Sequence, residues 1–184
     1  MADELIDIVD ESDKLTNISK MKSEAHRNGL WHRAVHIWIY NSRGEILLQL
    51  RAKGKLLYPA MWDVSAAGHV STGEDPLTSG IRELKEEIGI DAKPENLRFF
   101  QVRKNSAVYK DIENNEFYYV YLLRYDGDVS KLDLQTEEVE EIRFIPIANI
   151  EADLKSNPDK FVPHGDYWHD AINKIKSIAD SKIG

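Results

Sequence analysis

The sequence predicts a single-domain α/β fold, and three observations carry that prediction. Segments rich in β-branched and aromatic residues recur along the chain, at 97–102 and 116–125 among others. Between such segments, residues 76–88 carry apolar side chains at helical spacing, and two more helices are expected after the last strand. At 184 residues and 42% hydrophobic content, the chain can bury one sizeable core. No internal repeat, low-complexity tract or interdomain linker divides it. One domain is therefore expected over 1–184, with an N-terminal hairpin and short segment at 1–30, a core at 31–162 and a C-terminal helix within 163–184.

Taken in order, residues 4–9 and 15–19 should form a hairpin around 10–14. Strands are expected at 33–40 and 45–51, joined by a turn at 41–44. A loop at 68–73 leads to the helix at 76–88. Asp75 suits its N-cap and Pro76 its first position. Leu77, Ile81, Leu84 and Ile88 fall at i, i+4, i+7 and i+11, a narrow apolar stripe for a core. Gly89 supplies the left-handed residue that ends the helix. Strands at 97–102, 116–125 and 141–145 follow, the last stopped by Pro146. Helices are expected at 147–155 and 166–179.

The helix at 76–88 carries an unusual burden. Glu83, Glu86 and Glu87 stand at i, i+3 and i+4, so their carboxylates converge on one side, largely opposite the apolar stripe. Three such groups repel one another, and two lie in the last turn, where the macrodipole disfavours anions. A compensating cation is the simplest answer, and an all-oxygen site suits magnesium or manganese.

The wider pattern is more specific than the acids. Gly68, Glu74, Arg82, Glu83, Leu84, Glu86, Glu87, Gly89 and Ile90 match every defined position of G-x5-E-x7-R-E-U-x-E-E-x-G-U, where U is aliphatic. The chain thus resembles the Nudix hydrolase superfamily. The resemblance implies an α/β/α sandwich with a mixed sheet and a loop–helix–loop box that hydrolyses, with divalent metal, a diphosphate linked to another group. It also implies that Glu83, Glu86 and Glu87 hold the metal, Mg2+ or Mn2+, with the carbonyl of Gly68 joining them. One of the acids would orient or deprotonate the water. Arg82 and Glu74 read as a supporting pair, since Arg82 lies one turn before Glu86 and can fix its rotamer.

Composition limits the partners. A formal net charge of −8 argues against a nucleic-acid polymer or an anionic membrane as partner; the resemblance implies a small-molecule diphosphate as substrate. With no cysteine, neither a disulfide nor a thiolate metal site can form. The acidic N-terminal run MADELIDIVDE lacks the layout of a signal peptide, and no apolar run approaches membrane-spanning length. A cytoplasmic protein is expected. The exposed edge of the N-terminal hairpin is a candidate homodimer seam.

A second resemblance covers roughly residues 4–165. His26, His32, the HRA run His32-Arg33-Ala34, the Arg51-x3-Lys55 spacing, Trp62 and Ala67-Gly68-His69 are similar to type I isopentenyl-diphosphate isomerases and to the isomerase-like Nudix hydrolases. In that branch two N-terminal histidines, the histidine after the box glycine and two acids on a later strand bind a metal. The resemblance implies a second metal group of His26, His32, His69 and Glu116. Asn114 stands where the other acid is expected, which would weaken the site. The isomerases use a cysteine just before the box glycine; here that residue is Ala67, so a hydrolase is preferred. An isomerase and a ligand sensor without catalysis are the alternatives, and the intact set of acids counts against the sensor. Arg51, Lys53 and Lys55 are candidates to clamp substrate phosphates. Glu137 or Glu138, read as lying on the loop before a later strand, is a candidate general base.

Overall fold

The computed structural model describes residues 3–110 and 112–180; the outermost residues of the expected 1–30 and 163–184 segments lie outside these. The N-terminal hairpin pairs β1 (Leu5–Val9) with β2 (Leu15–Met21), and a short helix α1 (Lys22–Arg27) leads into β3 (His32–Tyr40). Then come β4 (Glu45–Arg51), two short strands β5 (Trp62–Asp63) and β6 (Ala66–His69), and the helix α2 (Pro76–Ile88). A long antiparallel pair, β7 (Leu97–Tyr109) and β8 (Ile112–Arg124), precedes β9 (Val139–Pro146), α3 (Ile147–Ser156) and α4 (Tyr167–Asp180).

β3 organises the mixed sheet. Along one edge it runs parallel to β8 over its whole length, from His32↔Glu116 to Tyr40↔Arg124. Along the other it meets β1 at Ile8↔His32, then β6 from Ala34↔His69 to Ile37↔Ala66, then β4 at Ile39↔Leu47 and Tyr40↔Ile46, all antiparallel. β4 in turn pairs with β5 and β9. β2 forms the outer edge of the N-terminal hairpin, with Leu15 and Ile18 exposed.

Strand alternation divides the core in two. Val35, Ile37 and Ile39 of β3, with Tyr121 and Leu123 of β8, pack against Leu84 and Ile88 of α2. On the opposite face Ala34 and Trp38, with Tyr118, Val120 and Leu122, pack against Ile147 and Ile150 of α3 and Tyr167, Trp168, Ala171, Ile172 and Ile175 of α4. Helices thus cover both faces of the sheet, the α/β/α arrangement that the resemblance implies. Each fully buried aliphatic side chain, such as Leu84 or Ile88, contributes about 1.5–3 kcal/mol.

α2 forms as its caps dictate. Asp75 Oδ1 accepts from the backbone N–H of Leu77 at 3.0 Å and of Thr78 at 3.1 Å. At the other end Gly89 has φ +71°, and Ile90 N–H returns to Leu84 O at 3.0 Å.

Several elements differ from expectation. Residues 66–69 form a strand, so the expected loop begins only after His69. This segment has no β-branched residue; pairing with β3 imposes the conformation, and Val70 N–H donates to Arg33 O at 3.0 Å. β7 and β8 reach further toward each other than the apolar runs suggest. The added residues of β7 alternate half-buried and exposed, so polar side chains such as Arg103 and Asn105 occupy a regular strand. β9 begins at Val139, two residues before the expected strand, so Glu140 belongs to a strand. The six-residue α1 is too short to leave a periodic signal.

Candidate active site and metal centre

β6 partitions the site. Its antiparallel register with β3 puts His69 beside Ala34 and Ala67 beside His36, on the face that α4 covers. Gly68 consequently faces α2. Two adjoining clefts result, and Lys55, Ala67, Gly68 and His69 line both.

The cleft on the α2 side holds the acids of the helix. Glu83 and Glu87 are buried, whereas Glu86 is exposed. Glu87 Oε2 accepts from the Ala67 backbone N–H at 3.1 Å, which ties the helix to β6. Glu83 lies so close over Gly68 that a Cβ there would stand 2.0 Å from its carboxyl carbon. No side chain fits at position 68 without moving Glu83. Arg82 clasps the group: Nη1 donates to Glu83 Oε1 at 2.7 Å and to Glu86 Oε2 at 3.1 Å. Its Nη2 reaches His69 O and Ser71 Oγ, both at 3.2 Å, and its Nε reaches Glu74 Oε2 at 3.4 Å. Glu74 Oε2 also accepts from Ser79 Oγ at 2.6 Å. Arg82 thus links Glu74 to Glu83 and Glu86.

The electrostatics of this cleft can test whether its donors suit a cation. Burial, then the neighbouring Glu83, pushes the Glu87 carboxyl up to about 8. Burial also pushes Glu83 up, against the pull of Arg82. Two adjacent buried carboxyls whose charged forms are disfavoured are a donor set that a hard divalent cation would relieve. The residues fit magnesium or manganese.

The other face carries imidazoles. His32 and Glu116 are direct cross-strand neighbours, His69 arrives from β6, and His26 comes from α1. One ligand atom from each of these four residues lies within 4.8 Å of all the others. His26 and His32 have ring centroids 5.0 Å apart, and His69 lies 5.2 Å from His26 and 5.3 Å from His32. Among the described residues, the Nε2 atoms of His26, His32 and His69 are buried without a hydrogen-bond partner, and so is Asn114 Oδ1. Glu116 Oε1 lies 3.3 Å from His32 Nε2 and 3.4 Å from His69 Nε2.

These atoms converge on one point as nitrogen and oxygen donors, a set suited to zinc, cobalt, manganese or iron rather than magnesium. Burial, then His69, lowers His26 to about 4, so its ring is neutral at pH 7 and can offer a lone pair. Burial works against protonation of His69 as well, but Glu116 and Glu4 outweigh it and raise that ring. A cation entering here would displace that proton. Asn114 donates its amide N–H to Glu116 Oε2, which leaves its carbonyl oxygen free toward the group. The substitution that weakens the expected acid pair thus retains an oxygen donor.

Beyond the histidines this cleft continues into a chamber lined by His36, Tyr58, Asp63, Tyr118, Val162 and His164. Asp63 is buried and receives His164 Nε2 at 2.8 Å and Arg51 Nη1 at 2.9 Å. Burial opposes its ionisation, but His164 and Arg51 hold it well below the usual carboxylate range. His36 stacks on Tyr118 with centroids 3.9 Å apart.

The remaining candidates separate clearly. Lys55 stands between the clefts and pairs with Glu138, which is buried. Arg51 lines the chamber, but Asp63 and the Leu57 carbonyl occupy its guanidinium, so it braces the 52–61 loop. Lys53 and Glu137 lie outside both clefts; Lys53 meets Glu140 at 3.0 Å on the surface, and Glu137 is exposed. Strand alternation does not carry Lys53 inward, because the strand ends at Arg51. Asp63, His164, His36 and Glu4 are residues that the sequence reading does not single out. Only His36 leaves a trace there, as the polar residue within the run 34–39.

A mixed sheet between helices, with the acid-bearing helix over Gly68 of β6, is the framework that carries both clefts. The NUDIX domain family model matches residues 30–165, and the chain belongs to the Nudix hydrolase family. Nudix hydrolase 3 of Arabidopsis thaliana is 36% identical over 169 residues, a match covering 89% of this chain but only 22% of that protein. An isopentenyl-diphosphate Delta-isomerase of Serratia proteamaculans is 33% identical over 159 residues, covering 86% of each. Among solved structures, DR0079 from Deinococcus radiodurans is similar with a TM-score of 0.69, covering 94% of this chain and 99% of that one at 22% identity. Among the described residues no helix is long and apolar enough to cross a membrane.

Proposed function

We propose that this chain hydrolyses a diphosphate bond in a nucleoside diphosphate linked to another group, or in a related organic diphosphate, with Mg2+ or Mn2+. The observation that carries this reading is the pair of buried carboxyls, Glu83 and Glu87, set against Gly68 and clasped by Arg82. Glu83, Glu86 and Glu87 would hold the ion, with Gly68 beside them. A divalent ion in that donor set supplies charge shielding and Lewis acidity toward the phosphates.

The chain's own groups do the rest. Arg82 fixes the rotamers of Glu83 and Glu86, so that the carboxylates are ordered before substrate arrives. Lys55, at the junction of the clefts, meets phosphate oxygens when they displace Glu138. Glu138, once released, is placed to accept a proton from the attacking water; Glu137 faces away and is set aside. Water enters one phosphorus, one P–O bridge breaks, and two phosphate-containing products or a phosphate and a diphosphate leave.

The group of His26, His32, His69 and Glu116 is proposed as a second metal site, with Asn114 as an added oxygen donor. The isomerase alternative lacks its proton-transfer thiol, since position 67 is alanine and the chain has no cysteine.

The test is release of phosphate and diphosphate from a panel of nucleoside and isoprenoid diphosphate compounds, with Mg2+ or Mn2+ and a chelator control. Metal-dependent turnover of one compound class is expected. Silence across the panel from folded, metal-binding protein would count against the hydrolase and toward the sensor.

A further inference from the structure

His69 is the residue that both faces of β6 share, and its two ring nitrogens have different surroundings. Nε2 is buried, turned toward His26, His32 and Glu116, and has no hydrogen-bond partner among the described residues. Nδ1 lies 3.2 Å from Glu4 Oε1. The same oxygen of Glu4 accepts from Lys22 Nζ at 3.0 Å, and Glu4 O accepts from the Lys22 backbone N–H at 2.8 Å. Glu4 is therefore fixed in place where the N-terminal hairpin closes over the box. His32 follows the same logic: its Nδ1 lies 2.8 Å from Leu30 O, which leaves Nε2 to the group. A neutral imidazole whose Nδ1–H is held by an oxygen presents its lone pair at Nε2, and such outer partners set both tautomer and ring orientation.

We propose that Glu4 is a positioning residue: it holds His69 in the Nδ1–H tautomer and aims Nε2 at the metal ion bound by His26, His32, His69 and Glu116. This rests on the second-metal reading given above. The N-terminal hairpin thereby becomes part of the metal centre, although it contributes no ligand. A link to the other face follows through the same residue, because His69 O accepts from Arg82 Nη2 at 3.2 Å. Glu4 thus steadies a residue whose backbone anchors the arginine of the box acids.

Two measurements on the full chain test this. The first is titration of the metal-stripped protein with Co2+, whose visible absorption reports imidazole coordination. Wild type is expected to bind one equivalent at this group, and His32→Ala to lose that band. Glu4→Ala should weaken Co2+ binding about 10- to 100-fold, the range for losing an outer partner of a metal-bound histidine. Glu4→Gln, which keeps an acceptor oxygen, should recover most of the affinity. Asp7→Ala is the control: Asp7 accepts from Ser19 Oγ at 2.7 Å and from the Gly73 backbone N–H at 3.0 Å, so it ties the same hairpin to the box loop at a different place. Equal losses in Asp7→Ala and Glu4→Ala would reduce Glu4 to a support of the hairpin and overturn the proposal, as would unchanged affinity in Glu4→Ala.

The second measurement needs no metal and is made at alkaline pH, where the His69 ring carries a single proton. Long-range 1H–15N spectra should place that proton on Nδ1 in wild type and shift it toward Nε2 in Glu4→Ala. An Nε2–H tautomer in the wild-type protein also overturns the proposal. If wild type and His32→Ala both fail to bind Co2+, the second-metal reading falls and Glu4 loses its role with it. If wild type binds and Glu4→Ala binds equally well, only the role of Glu4 falls.

Discussion

The two faces of β6 solve the same problem with opposite materials. On the α2 side, three carboxylates from a single helix stand by a glycine, and the atoms those acids offer are oxygens. On the α4 side, three imidazoles, one carboxylate and one amide come from α1, β3, β6 and β8. The first arrangement suits a hard cation that exchanges water and binds phosphate. The second suits a more tightly held transition metal. The four-residue strand β6 lies between these two donor sets. Burial acts differently on each. It pushes the acids Glu83 and Glu87 toward their protonated forms, and it keeps His26 neutral and ready to donate.

That contrast can be broken or sharpened by substitution. The largest effect is expected from Glu87→Gln. It should lower turnover by roughly 10²–10³-fold, the scale for losing one group that stabilises developing charge, while leaving Co2+ binding by the histidines intact. Steady-state kinetics and the Co2+ band, measured on the same preparation, check it. Near-wild-type turnover would remove Glu87 from the metal assignment.

A middle effect is expected from Gly68→Ala. The new methyl would meet the Glu83 carboxyl carbon at 2.0 Å, so Glu83 must leave its place. Overpacking of this kind costs about 1–3 kcal/mol, and Mg2+ affinity should fall with it. Chemical denaturation and Mg2+ titration would show both changes, and neither changing would mean that Glu83 is not held against β6.

The smallest effect is a pH dependence on the α4 face. Burial, then His164, lowers His36 from its ordinary 6.5 to about 3. Between those values the unfolded chain binds the proton that the folded chain refuses. This contribution to stability is therefore full above pH 6.5 and is lost as pH falls toward 3. His36→Phe should flatten the fall in melting temperature over that window, and an unchanged slope would show that His36 is not the group refusing the proton.

The two faces also differ in how far the sequence discloses them. The acids and their helix are contiguous, so spacing, capping and stripe can all be read from 23 residues. The histidine group draws on residues from 26 to 116, and without register nothing in the chain says that His32 stands beside Glu116. Resemblance supplied that set, and the strand pairing explains it. Asp63 and His164 are 101 residues apart and have no spacing rule to reveal them. Lys53 illustrates the converse. Alternation predicts that it points with Arg51 and Lys55, but the strand ends at Arg51 and the rule ends with it.

The claim that matters most is that water attacks a diphosphate phosphorus at the acids of α2. Hydrolysis of the substrate found in the panel should be run in 18O-enriched water, with wild type and Glu87→Gln side by side, and the products weighed by mass spectrometry. The account predicts one 18O atom in one of the two phosphate-containing products, metal-dependent and lost with Glu87. Products free of 18O, or equal labelling in the variant, would contradict it.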